Sequence, residues 1–323
     1  MNNPTLLHHA IETMEVGSKS FATASKLFDA KTRRSVLMLY AWCRHCDDVI
    51  DDQALGFPGE VPSAQTPQQR LAGLTLKTRQ ALAGNQMHEP AFAAFQEVAI
   101  AHNLSPAYAF DHLEGFAMDV RSARYETLQD TLRYCYHVAG VVGLMMAQIM
   151  GVRDEATLDR ACDLGIAFQL TNIARDIVED ARVGRCYLPE NWLEEAELDR
   201  LHFADRAHRP ALAGLARRLV SEAEPYYASA SVGLAGLPLR AAWAIATAKE
   251  VYRRIGIKVY RAGETAWDCR QSTSKQEKLL LLAAGAAQAV RSRAADSPPR
   301  PTDLWQRPRQ DDGRDADAAS PAI

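Results

Sequence analysis

Tyr40-Ala41-Trp42-Cys43-Arg44-His45-Cys46-Asp47-Asp48-Val49-Ile50-Asp51-Asp52 is the stretch on which the fold turns. Wound as a helix of about 3.6 residues per turn, it sets Tyr40, Arg44, Asp47 and Asp51, at offsets 0, 4, 7 and 11, in one narrow stripe. Met38, Trp42 and Val49 fall on the far side. A second segment repeats the design: Gln169, Asn172, Asp176 and Asp180 stand at offsets 0, 3, 7 and 11, with Ala167, Leu170, Ala174 and Val178 opposite. Ile166, Ile173 and Ile177 flank this stripe and predict a helix buried on most sides. Carboxylates one helical turn apart repel, and desolvation penalises each of them further. Two such rows facing each other require cations. An all-oxygen donor set favours a hard ion, and Mg²⁺ takes one or two carboxylates together with waters and substrate phosphates. The combination points to a diphosphate held by magnesium between two helices. The plainer reading, two solvated acidic faces, would serve for either row alone; matching offsets on two apolar-backed helices, 125 positions apart from Asp51 to Asp176, count against it.

The rest of the chain agrees with a helical frame. Its 323 residues are 47% apolar and 24% charged, with Gly 18 and Pro 15, the balance of an ordinary globular protein and poor in turn residues for an all-β one. The net charge of −3 argues against nucleic acid as a partner. Helical spacing predicts helices at 5–16, 32–52, 67–84, 89–103, 106–120, 127–151, 155–181, 206–232, 239–261 and 274–293, and no strand run is evident. These form one all-α domain over 1–295, and the proline-rich segment 296–323 is expected to be a disordered tail. Six dispersed cysteines suit a reducing, cytoplasmic setting. Val138 to Val152 is the most apolar stretch, but Gly140, Gly143, Gln148 and Gly151 interrupt it, so it reads as a buried core helix and not a membrane span.

The first stretch resembles the first signature of the squalene and phytoene synthases, the head-to-head prenyl-coupling enzymes. Gly165 to Asp176, ending in Glu179-Asp180, resembles their second. Gly17-Ser18-Lys19-Ser20-Phe21, Tyr134-Cys135-Tyr136 with Val138-Ala139-Gly140, and Gly184-Arg185-Cys186-Tyr187-Leu188-Pro189 complete five blocks in the family's order, across about residues 14 to 290. The wording is nearest to bacterial, phytoene-forming members of carotenoid pathways. The resemblance implies a class I isoprenoid synthase fold around a central cavity. It also implies condensation of two geranylgeranyl diphosphates to phytoene through a cyclopropyl diphosphate, with two diphosphates released. Carried over residue by residue, Asp47, Asp51, Asn172, Asp176 and Asp180 would hold Mg²⁺, with Mn²⁺ as a substitute. Tyr40, Arg44, Gln169, Asn172 and Arg175 would contact diphosphate or metal, Ser18, Lys19 and Phe21 would close over a substrate, and Tyr134 and Tyr187 would line the reaction centre. Gly17 stands where some relatives have histidine. No nicotinamide is expected. Greasy substrates imply peripheral attachment to the inner membrane and leave room for other isoprenoid and carotenoid enzymes as partners.

Several rival readings are weaker. Lys19 lacks the glycines of a phosphate-binding loop, and Cys43-x-x-Cys46 lacks the second half of a zinc site. Asp48 and Asp52 lie about 100° round from the stripe and either support it or are solvated. Arg175 and Arg185 have an alternative as surface ion-pair partners. A terpene cyclase shares the first motif but not the second, and a di-iron bundle needs Glu-x-x-His pairs that are absent. Squalene or dehydrosqualene synthesis from the C15 diphosphate, a class I terpene cyclase and a helical interaction scaffold remain the alternatives.

Overall fold

The computed structural model describes residues 4–54, 57–58 and 63–309, and its architecture is helical. In chain order the helices are α1 (Pro4–Gly17), α2 (Lys19–Ser25), α3 (Ala30–Asp51), α4 (Pro67–Leu82), α5 (Pro90–His102), α6 (Pro106–Val120), α7 (Leu128–Cys135), α8 (Val141–Ile149), α9 (Glu155–Arg182), α10 (Glu190–Glu195), α11 (Arg209–Gly233), α12 (Leu239–Ala262) and α13 (Lys275–Arg291). Residues Gln53–Ala54 and Phe57–Pro58 pair as a two-residue antiparallel ribbon just beyond α3.

Local chemistry sets the ends of the two helices that matter most. The Asp29 carboxylate accepts the amides of Lys31 and Thr32, both at 3.0 Å, and starts α3. Asp154 accepts the amide of Thr157 at 2.8 Å and starts α9. Each of these caps satisfies helix N–H groups that have no partner within the helix. At the other end of α3, Asp52 takes a left-handed conformation (φ 55°) and breaks the helix directly after the acidic stripe. The apolar back of α3 packs on α1 and α5, where Trp42, fully buried, stacks on Phe95 at 4.1 Å. Helix α9 is enclosed by α8, α11 and α12. The two acidic helices are packed chiefly on their own neighbours, and both line one hollow.

Three expectations need correction. The helix read over 127–151 is not continuous: a π-helical turn at Tyr136–Gly140 separates α7 from α8. Helix α2 was not expected; its start is made by Ser18, whose hydroxyl accepts the Phe21 amide at 3.3 Å. The tail from 296 onward is ordered as far as Arg309, while 310–323 lie outside the described residues. Low apolar content suggested disorder there, but the segment is held by ion pairs: Arg300 to Asp163, and Arg307 and Arg309 to Asp159 and Glu155 of α9. Leu304 is buried beneath it.

Candidate active site between two acidic helices

The stripe residues of both helices line one cavity of about 980 Å³. From α3 it receives Tyr40, Arg44, Asp47 and Asp51; from α9 it receives Gln169, Asn172, Arg175, Asp176 and Asp180. Ser18 and Phe21 close one side, and Phe21 lies against the Tyr40 ring at 6.2 Å. Tyr134 and Tyr187 also line the cavity. The backbone of Lys19 opens α2, but its side chain lies outside the described residues. Below this polar end the walls are apolar, with Val138, Val142, Met146, Leu164 and Phe168. The cavity therefore has a charged mouth and a greasy depth, the division that a prenyl diphosphate needs.

Arginines are interleaved with the carboxylates. Arg44 forks to Asp47 (2.8 Å) and Asp48 (2.7 Å), so Asp48, buried, supports the stripe. Asp52 instead accepts the Ser63 amide and pins the following loop. Arg175 pairs with Asp176 through both Nε and Nη2, and Arg270 reaches the same carboxylate at 3.2 Å. Arg185 grips Asp51 through both terminal nitrogens and so ties the block after α9 to the end of α3. The ion-pair reading of Arg175 and Arg185 is thus correct in kind, but the pairs lie inside the site.

The charge balance is short of cations. Burial, with the neighbouring carboxylates Asp51 and Asp48, pushes Asp47 up to about 6 despite Arg44. Burial and Asp176 push Asp180 up to about 8. The Asn172 amide oxygen is buried without a partner, and one Glu179 oxygen is too. Oxygen donors in deficit of positive charge are what a hard divalent ion would satisfy. Among the described residues no three His, Cys, Asp or Glu side chains converge as a self-sufficient metal cage. That arrangement fits an ion completed by waters and phosphate oxygens and does not suit a structural zinc; Cys43 and Cys46 are free thiols whose burial pushes them up.

Two residues of the site, Asp119 and Arg270, escaped sequence reasoning. Asp119, near the end of α6, accepts hydrogen bonds from the hydroxyls of Tyr134 (3.1 Å) and Tyr187 (2.9 Å), whose rings stack at 4.5 Å. Burial pushes its carboxyl up to about 6. The available signal was a lone acid closing the apolar run Phe116-Ala117-Met118. Arg270 gave no signal, since it sits in a loop after α12 without periodicity.

Comparison with known proteins agrees with this geometry. The family model described as squalene/phytoene synthase matches residues 14–279. The chain is 74% identical to a 15-cis-phytoene synthase of Pantoea ananas over 95% of its own length and all of the relative's. It is 62% identical to a phytoene synthase of Pseudescherichia vulneris, again over 95% of its length and all of the relative's. Among solved structures, a dehydrosqualene synthase in complex with a ligand superposes with a TM-score of 0.77 at 26% identity, covering 88% of this chain and 96% of that one. A squalene synthase from Alicyclobacillus acidocaldarius shares the fold, with a TM-score of 0.68 at 23% identity, covering 81% of this chain and 97% of that one. With the acidic rows lining one cavity and the family model spanning most of its length, the chain belongs to the squalene/phytoene synthase family of prenyltransferases.

Proposed function

We propose that this enzyme condenses two geranylgeranyl diphosphates head to head to give phytoene, with magnesium at the cavity mouth. The observation that carries the reading is the single cavity with two acidic, arginine-laced rows at one end and apolar walls through its depth. The similarity to phytoene synthases over the full length supports the C20 substrate and the non-reductive outcome. Asp47, Asp51, Asn172, Asp176 and Asp180 would hold the metal. When bound there, Mg²⁺ supplies charge neutralisation to the diphosphate as it departs.

The chain's own residues account for the rest. Arg44, Arg175, Arg185 and Arg270, now paired with carboxylates, supply donors for phosphate oxygens once substrate enters. Scission of the first C1–O bond leaves an allylic cation. The double bond of the second substrate attacks that cation, and loss of a proton closes the cyclopropane. Scission of the second C–O bond, rearrangement and loss of a second proton give the C40 hydrocarbon with a conjugated triene at its centre. Two diphosphates and two protons leave in all, and no reductant is consumed. Phe21, Tyr40 and the stacked Tyr134 and Tyr187 present ring faces to the cations, each worth about 0.5–2 kcal/mol. Their bulk, with the apolar walls, keeps water from capturing the cation as an alcohol.

The test is direct. Purified protein with Mg²⁺ and geranylgeranyl diphosphate, without reductant, is expected to yield a C40 hydrocarbon, and the C15 diphosphate to react poorly. Absence of the C40 product overturns the reading, and a clear preference for C15 replaces it with dehydrosqualene-type coupling. On the same reading the enzyme works against a lipid surface. No described helix is long and apolar enough to cross a membrane. However, α13 shows solvent an apolar face of Leu279, Leu280 and Val290, beside Lys275 and Lys278. The protein is expected to float with anionic liposomes; if it stays at the bottom of the gradient, the surface attachment is wrong.

A further inference from the structure

The ordered C-terminal strap, 297–309, meets the cavity wall at the end remote from the acidic rows. Along α9 the lining residues run from Asp176 down to Arg160 and Thr157. Sixteen residues separate Asp176 from Arg160, about 24 Å at 1.5 Å per residue. An extended C20 chain, with C–C bonds of about 1.5 Å, spans roughly 20 Å. Arg160 thus lies about one extended C20 chain from Asp176.

Arg160 is an unusual wall residue. It is 6% exposed, and both terminal nitrogens of its guanidinium have partners in the protein. Nη1 donates to the Ser229 carbonyl (3.3 Å) and hydroxyl (3.4 Å), and Nη2 donates to the Pro298 carbonyl of the strap. Its methylene stem lies along Gly233, where an added Cβ would come within 2.8 Å of Arg160 Cβ. The stem is thus packed on Gly233 while the guanidinium is tied to Ser229 and to the strap. The strap itself is firmly seated. Arg300 forks onto Asp163, fully buried one turn beyond Arg160, at 2.7 and 2.8 Å. The Trp305 amide donates to the Tyr226 hydroxyl at 3.1 Å, and its ring rests on Tyr136. Arg307 and Arg309 bind Asp159 and Glu155.

We propose that Arg160, held from behind by the C-terminal strap, is the end-stop of the prenyl chamber and sets the longest chain that fits. The inference rests on the C20 reading for the identity of the natural chain, but its test reads binding and does not depend on turnover. The probes are the unreactive thiolodiphosphate analogues of C20 and C25 prenyl chains, titrated calorimetrically with Mg²⁺ into the full chain. The parent protein is expected to bind C25 about tenfold more weakly than C20, the cost of forcing an extra isoprene unit against a packed wall. Arg160→Ala, which opens the stop, should bring the two affinities within about threefold. The double variant Trp305→Ala/Arg307→Ala, outside the cavity, should shift the ratio the same way by loosening the support. Thermal melting shows which variants are folded. A folded Arg160→Ala with the parent's C25-to-C20 ratio overturns the end-stop. An unchanged ratio in the strap variant, with a lowered melting temperature, reduces the strap to a stabilising element and overturns its part. Failure of the parent to couple C20 diphosphate in the product assay would count against the proposed reaction and leave the binding ratios to decide the end-stop.

Discussion

A carboxylate that accepts from two buried phenols, as Asp119 does from Tyr134 and Tyr187, fixes both rings at once, because neither hydroxyl can turn away without losing its partner. Burial, the larger effect, nonetheless pushes Asp119 up to about 6. The sign of the pH effect follows. Between about pH 4 and 6 the folded protein keeps this proton while the unfolded chain has released it, so native stability falls as pH rises through that window and levels off above it. Asp119→Asn stays neutral at every pH. Relative to the parent, its stability is expected to improve by about 2 kcal/mol between about pH 4.5 and 7, read from urea midpoints at the two pH values. A difference that does not change with pH would mean that Asp119 is ionised throughout. At this scale the stripe residues were legible because helical spacing alone aligns them, whereas Asp119 was not. Its function comes from two tyrosines 15 and 68 positions away, and nothing in its own neighbourhood announces them.

Helices α3 and α9 could be read from one-dimensional pattern because their caps, their apolar backs and their polar stripes all point the same way. The π turn at Tyr136–Gly140 could not, since it is a shift in backbone pairing that leaves the apolar pattern of Val138 to Val152 intact. What the sequence does carry is its consequence, a close approach of this segment to α9 marked by glycine on both sides. A Cβ on Gly165 would lie 2.2 Å from the Ala139 carbonyl oxygen, and one on Gly143 would lie 2.3 Å from the Ala161 carbonyl oxygen. Both obstacles are backbone atoms in helices and cannot swing aside. Gly165→Ala is therefore expected to destabilise by about 1–3 kcal/mol or more. Gly214, inside α11 with nothing near its missing Cβ, supplies the opposite case. There alanine should stabilise by about 0.5–1 kcal/mol through the unfolded chain's entropy. Thermal melts of the two variants side by side check this, and a Gly165→Ala protein that melts no lower than the parent would show that the helices are not in close contact.

Across the whole molecule, the acidic rows face one cavity, and Arg185, gripping Asp51 across 134 positions, ties the block after α9 to the end of α3. That link, like the strap, was hidden because an arginine in a loop looks alike in sequence whether it faces water or a distant carboxylate. The strap's arginines, set among prolines, gave the composition of a solvated tail and only the fold supplies their aspartates. The same long-range assembly leaves the mouth of the cavity deficient in positive charge, and this can be measured without substrate. Inorganic diphosphate together with Mg²⁺ should raise the melting temperature well above the effect of either alone, since each completes the other's coordination; at a hundredfold excess over Kd the stabilisation is about 2.7 kcal/mol. Asp180→Asn separates this effect from general stability. Burial and Asp176 push the Asp180 carboxyl up to about 8, so at neutral pH its ionised form is disfavoured in the folded state. The neutral amide should leave the metal-free melting temperature unchanged or higher, while most of the shift with Mg²⁺ and diphosphate disappears. A variant that keeps the full shift would show that the second row does not hold the ion, and the cation deficit at the mouth would then have to be met by the arginines alone.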